Sequence, residues 1–425
     1  VRVRTGIARA LLVVVMSSPA LPNPGVAQTS AARGGPATVD TLVVSEDVEL
    51  RRIASALLPS LAQRSGLELR GPVRVERRSR AELEAYVVGK LDEELPPGRA
   101  LRLAEAYALL GLAPADFDLR ATLTAIYTEQ VAGFYDPDST ALYVLDDQAP
   151  AALESLLMHE LVHAVQDQWV DLAAVTAPEL DNDRSSAAQA AIEGHAMLVM
   201  MEHAMSAAQP DLDVVAMPGF AALVRPALDG VHDQYPALGG APRIIQETLL
   251  LPYTEGAAYV QAVWAARGAR VPLGDMLPAS TEQVARPERF TSSAPDTPTS
   301  VGLRVSDEVD TLLDDVLGYA ETRIFLEELA GEAAGAAADG WDGDRWALVT
   351  DGARSGVVWS LVFDSEGARD RFASTVTPHL SALPNRASLG TMEVDGRPIA
   401  LLRIGLEPEV TVTLEGGVAT PGAVP

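Results

Sequence analysis

The chain has 425 residues, of which 48% are hydrophobic and 21% charged, with a formal net charge of −27 and no cysteine. This is enough apolar sequence to bury a large core, and the length suits two domains. The lack of cysteine excludes disulfides and a lipidated cysteine, and so acidic a surface disfavours binding to nucleic acid or anionic lipid.

The first residues predict an export signal over 1–27. Arg2, Arg4 and Arg9 precede an apolar run from Ala10 to Met16, and Gly25-Val26-Ala27 offers a small-x-small cleavage site before Gln28. The apolar run is too short to span a bilayer, and no other stretch is long enough. The mature protein is therefore expected to be exported, periplasmic or extracellular, with no transmembrane segment. Residues 28–44 read as a linker, rich in Gly, Ala, Ser and Thr.

Order is expected from Ser45, as the cap of a helix to about Gln63 with acidic residues in its first turn. Pro72 to Glu76 alternates like a strand, and Ser79-Arg80-Ala81-Glu82 matches a capping box. Helices follow at about Pro97 to Leu110 and Pro114 to Gln130. Val131 to Leu145 reads as a β-hairpin with Asp136-Pro137-Asp138-Ser139 as its turn and Tyr135 and Tyr143 beside it. An extended peptide could add itself to such a strand.

Leu156 to Gln166 contains His159-Glu160-Leu161-Val162-His163, the pattern His-Glu-x-x-His. At helical spacing His159, Glu160, His163, Gln166 and Asp167 share one side, and Leu157, Met158, Leu161, Val162 and Val165 the other. Two imidazoles four residues apart suit two nitrogen ligands of one Zn²⁺, and Glu160 is placed to take a proton from the attacking water. The bland alternative is a chance pair of surface histidines, yet the chain has only six. A third ligand is needed. Ser186-Ala187-Ala188-Gln189 matches a second capping box, and the helix after it carries Glu193-Gly194-His195. Glu193 and His195 can both ligate, but two positions apart they face nearly opposite ways, so only one can point at the metal. His203, His232 and His379 lack a partner at ligand spacing and read as structural or surface residues.

Together Gly133 to Pro137, His159 to Gln168 and Glu193-Gly194-x-Ala196 resemble a group of bacterial and archaeal zinc metallopeptidases of the gluzincin type. Ser280-Thr281-Glu282-Gln283 and Gly340-Trp341-Asp342-Gly343-Asp344-Arg345 are similar to two further segments of that group. The resemblance, from about residue 45 to 345, implies a zincin-like fold with His159, His163 and Glu193 as zinc ligands and Glu160 as base. The chain departs from the pattern at His195, where the group often has Asp, at Met197, where thermolysin-like members are acidic, and at Arg286, where a histidine is usual. A carboxylate orienting a ligand imidazole must then come from elsewhere, with Asp183 and Asp167 as candidates.

Tyr253 to Val260 opens a helix to about Arg267, and Tyr253 and Tyr259, with Tyr135 and Tyr143, are candidates to contact substrate or a developing oxyanion. Pro287 to Pro298 reads as the boundary of a C-terminal α+β unit. That unit is expected to hold an acidic helix over Asp307 to Leu329, strands at Trp346 to Val349 and Val357 to Phe363, a helix from Glu366 to about Thr377, and a hairpin turning at Asp395-Gly396. Asp339, Asp342 and Asp344 lack the spacing of a calcium loop and read as a solvated turn. Gly416 to Pro425 is expected to be a disordered tail.

The expected fold is α+β: a zincin-like core over 45–295, mostly helical with a small sheet, and a C-terminal α+β domain over 296–425. The expected function is that of an exported zinc metallopeptidase acting on peptides or proteins. The alternatives are an inactive binding protein on the same fold and a zinc amidase of the cell envelope.

Overall fold

The computed structural model describes residues 42–177, 180–206, 208–209, 212–217 and 230–415. The expected signal, most of the linker, residues 218–229 and the tail from Gly416 lie outside them. The described chain is a mixed α and β structure with three sheets, and among its residues no helix is long and apolar enough to cross a membrane.

The first sheet has the order β1-β2-β4-β3. Strand β1 (Val43–Val44) runs parallel to β2 (Val73–Arg78), which runs parallel to β4 (Ala141–Leu145). At the edge, β3 (Gly133–Asp136) pairs antiparallel with β4, Tyr135 opposite Leu142. Of the helices in this part, α1 (Val48–Ser65) packs on the sheet, α2 (Arg80–Glu94) packs on α4 (Leu119–Gln130), and α3 (Pro97–Leu109) joins α4 to strands of the second sheet. The capping box opening α2 forms as its sequence predicts, with Ser79 and Glu82 each satisfying the other's backbone amide. The cap of α1 is Asp47 rather than Ser45, its carboxylate accepting from Glu49 and Leu50, and α4 starts at Leu119 behind the cap Asp118. An aspartate oxygen takes two orphan amides and adds negative charge at the positive end of the helix. Lys90, the only lysine, reaches from α2 to Asp138 in the turn between β3 and β4.

Next come α5 (Leu153–Asp167), the short α6 (Leu172–Val175) and α7 (Asn182–Ser206). The expected capping box at Ser186 is not the start of a helix: α7 is one helix of 25 residues in which Ser186 and Gln189 are buried. Its first turn is capped locally by Asp181, whose Oδ1 accepts from the Arg184 amide at 2.8 Å. From far along the chain, Asp315 Oδ1 accepts from the Asn182 amide at 3.1 Å.

The second sheet is antiparallel with order β6-β7-β8-β10-β9: β6 (Asp310–Asp315), β7 (Trp341–Thr350), β8 (Ser355–Phe363), β10 (Arg397–Ile404) and β9 (Ala387–Val394). A separate pair joins β11 (Val410–Glu415) to β5 (Ser300–Val305). The acidic segment Asp307 to Leu329 is therefore not one helix but β6 followed by the helix Gly318–Ala330. Trp359 of β8 sits edge-on to Phe325 of that helix and Phe372 of the helix Glu366–Val376, centroids 5.2 and 6.2 Å away. The apolar core runs without a break across residue 295, joining Leu161 and Ile192 to Leu317, Phe325 and Trp359.

The two downstream segments of the resemblance meet at the start of α7. Asp344, expected in a solvated turn, is buried in β7 and accepts four bonds, from the amides of Leu317 and Gly318 and the indoles of Trp341 and Trp359, at 2.9–3.1 Å. It thereby caps the helix Gly318–Ala330. Asp183 accepts from the amide and hydroxyl of Thr281, whose oxygen in turn accepts from the amide of Ala320. Gly318 has φ +79, and a Cβ there would stand 2.0 Å from Asp183 Oδ1, so glycine serves both the backbone angle and the approach.

Candidate metal centre

Helices α5 and α7 pack against each other and bring three side chains to one point. The rings of His159 and His163 lie one turn apart with centroids 4.9 Å apart and planes at 68°. Glu193 of α7 enters between them, its Oε2 3.2 Å from His159 Nε2 and 3.6 Å from His163 Nε2. One nitrogen from each histidine and one carboxylate oxygen fall within 4.8 Å of one another. All three residues are at most 1% exposed. The expected polar side of α5 is no solvent face, because every residue from Leu156 to Gln166 is buried.

Burial opposes ionisation of Glu193, but the imidazoles of His163 and His159 outweigh it and bring its carboxyl down to about 2. Burial holds His159 below its ordinary value, against the pull of Glu193. Glu160 is fully buried, and no side chain among the described residues hydrogen-bonds either carboxylate oxygen. Burial, then the negative Glu193, hold its carboxyl well above the ordinary range, opposed only by the backbone amide of Tyr135 on β3. Two glutamates are thus driven in opposite directions by their surroundings alone.

Residues 307–412 match the model of a family described as a domain of unknown function, DUF8575. No curated protein and no solved structure matches the chain. The match takes in the whole five-stranded sheet with the helices Gly318–Ala330 and Glu366–Val376, and ends within β11. It does not reach α5 or α7.

His195 faces away from the cluster, its Nε2 3.1 Å from the Ser65 carbonyl oxygen and its ring edge-on to Trp264. Burial pushes it down to about 3, so it is neutral at physiological pH. Neither Asp183 nor Asp167 supports a ligand imidazole: Asp183 is held by Thr281, and Asp167 accepts from the Tyr135 hydroxyl at 2.8 Å and the Leu172 amide at 3.0 Å. Two glutamines take that place instead. Gln166 Oε1 is 2.8 Å from His163 Nδ1, and the Gln189 amide donates to Glu193 Oε1 at 3.2 Å. A helical-spacing rule could have found both, since Gln166 follows His163 by three and Gln189 precedes Glu193 by four.

The tyrosine hydroxyls are engaged elsewhere where the structure records them. Tyr135 donates to Asp167, Tyr143 to Ser139 Oγ at 3.1 Å, and Tyr259 to the Met276 carbonyl at 2.8 Å. Tyr135 meets the site through its backbone amide, not its phenol. Tyr253 lies in the π-helical turn Pro252–Gly256, which packs on α7. His203 bonds Ser60 and Glu154 at 2.9 and 3.1 Å, as a structural histidine. Arg286 pairs with Asp339.

Proposed function

We propose that this protein is a zinc-dependent metallopeptidase with His159, His163 and Glu193 as ligands and Glu160 as general base. The observation that carries this is the meeting of two imidazole nitrogens and a carboxylate oxygen within 4.8 Å, in a buried space beside a second carboxylate that lacks a side-chain partner. The donor set fits the metal: two nitrogens and one oxygen are the usual three protein ligands of a catalytic zinc, which keeps a fourth position open. Zinc bound there supplies Lewis acidity toward a carbonyl and lowers the pKa of the attacking water to about 7.

Glu160 takes a proton from that water and returns it to the leaving amine. Its carboxyl, held well above the ordinary range by burial and by Glu193, is made a better base by positive charge beside it. Strand β3 supports a peptide as substrate. It is the edge strand of its sheet and packs on α5, the helix that carries Glu160, so an extended chain added at this edge would run beside that helix. The same layout, a histidine-bearing helix against a small sheet with its third ligand from a later helix, supports the zincin-like core.

Metal analysis of the purified chain and digestion of a proteome-derived peptide library test this together. The expected result is one zinc per chain and cleavage by the wild type but not by Glu160→Gln. A chain without zinc overturns the assignment, and a zinc-bound chain that cleaves nothing leaves an inactive binding protein.

A further inference from the structure

Gln166 stands between two histidines. Its Oε1 lies 2.8 Å from His163 Nδ1, while its Nε2 lies 3.0 Å from the Ile192 carbonyl oxygen and 3.1 Å from His195 Nδ1. His195 Nε2 lies 3.1 Å from the Ser65 carbonyl oxygen. The side chains of Gln166, His163 and His195 are completely buried.

The protons of this chain follow from its two ends. A backbone carbonyl oxygen only accepts, so the Gln166 atom beside Ile192 must be the amide nitrogen. Its oxygen then faces His163, and His163 Nδ1 must carry a hydrogen. At the far end the nitrogen beside Ser65 must likewise be an N–H, which leaves His195 Nδ1 as the acceptor for the second Gln166 hydrogen. With His163 neutral, no other placement of the hydrogens satisfies all four contacts. The amide cannot flip without setting its oxygen against the Ile192 carbonyl.

On the neutral ring the outcome at the near end is a bare His163 Nε2. It has no hydrogen-bond partner among the described residues and faces Glu193 Oε2 at 3.6 Å. Two lone pairs facing each other in a buried space repel, and a cation between them relieves the repulsion. We infer that Gln166 and His195 are positioning residues: a buried amide and imidazole relay that holds His163 in the Nδ1–H tautomer and presents its Nε2 to the metal centre. His195, two residues from a ligand, thereby acts on the opposite ligand without touching the site. The purpose of the relay rests on the metallopeptidase reading; the tautomers themselves do not.

Long-range proton–nitrogen correlation spectra of the histidine rings test it on the full ¹⁵N-labelled chain, as purified and after chelator treatment, with assignment by substituting each histidine in turn. The expected result in both states is His163 protonated on Nδ1 and His195 protonated on Nε2. Loss of the proton from His163 Nδ1 after chelation, or a mixture of tautomers, overturns the proposal, and this measurement needs no variant of Gln166 or His195 to fold.

Substitution separates the relay from simple packing. His195→Asn keeps an acceptor near the Nδ1 position, whereas His195→Leu fills the apolar space against Trp264 without one. The relay predicts that Gln166→Met, which removes the acceptor at His163 Nδ1, randomises the His163 tautomer and weakens zinc binding about 10–100-fold; His195→Leu, with the Ile192 carbonyl still holding the amide, loses part of that affinity, while Asn stays near wild type. Leu matching or surpassing Asn in both readouts shows a packing role and overturns the relay. The expected tautomers in a wild type that binds no zinc would instead sink the metal assignment and leave the relay standing.

Discussion

Gly194 and Gly256 touch backbone to backbone. A Cβ added to Gly194 would lie 2.1 Å from the Gly256 carbonyl carbon, and one added to Gly256 would lie 2.1 Å from the Ala190 oxygen. Neither obstacle is a flexible side-chain end, so helix α7 itself must move to admit a methyl group. Since Glu193 is the neighbouring residue, the displacement reaches the metal centre. Gly194→Ala should cost about 1–3 kcal/mol or more in overpacking and weaken zinc binding as well. Gly89, inside α2 with nothing within 4 Å of its absent Cβ, is the control: Gly89→Ala should stabilise by about 0.5–1 kcal/mol. Thermal melts and chelator competition on both variants check this, and similar shifts in the two would refute it.

Glu160→Gln should bind zinc as the wild type does and lose activity by roughly 10²–10⁴-fold or more, because the carboxylate moves protons without holding the metal. Metal content and turnover measured on one preparation decide the matter. Loss of zinc in parallel with activity would make Glu160 a ligand.

Glu193 presents one oxygen to the imidazoles while the Gln189 amide occupies the other. Glu193→Ala should weaken zinc binding by more than about a hundredfold, since it removes one of three ligands. Gln189→Leu should cost about 10–100-fold, as a supporting partner does. Chelator competition ranks the two, and the reverse order would show that Glu193 does not ligate.

Glu321 is buried near Asp315 and Asp344; burial, followed by those charges, pushes its carboxyl up to about 8 from 4.5. A raised folded-state value favours the folded protein most below pH 4.5, where both states hold the proton, and that contribution is lost as the pH rises to 8. Glu321→Gln cannot ionise and keeps an acceptor for the Asn182 amide. Between pH 5 and 8 its stability should fall less than that of the wild type, by on the order of a few kcal/mol. Urea midpoints at the two ends of that range test the sign; parallel declines would mean that Glu321 is ionised throughout.

What could be read from the sequence was what local spacing encodes. His159, Glu160 and His163 are fixed by one helical turn, the Ser79 capping box lies within four residues, and the Asp395-Gly396 turn shows itself by its pair of residues, which adopt φ of 50° and 75°. What could not be read was supplied from a distance. The local cap of helix α7, Asp181, lay in what read as a loop, and the second acceptor of its first turn, Asp315, comes from far along the chain, where no local pattern announces it. Asp344 looked solvated because it sits in a short run of aspartate and glycine; the indoles of Trp341 and Trp359 and a helix terminus from another segment bury it. Strand β6 stayed hidden because its acidic residues dilute the alternation, with only Leu313 and Asp315 fully buried. Glu193 and His195 were separable in orientation but not in role, since only the place of α5 decides which side of α7 meets His159 and His163.

The pairing of Lys90 with Asp138 gives the chain a single address for chemistry at side-chain amines. That ammonium is only 19% exposed and is tied to the turn of the β3–β4 hairpin, so an acylating reagent can reach a free amine only after the ion pair parts. The rate of modification at Lys90 then acts as a clock for opening of the hairpin, and slower acylation with peptide bound along β3 would report occupancy of that edge without following any bond cleavage.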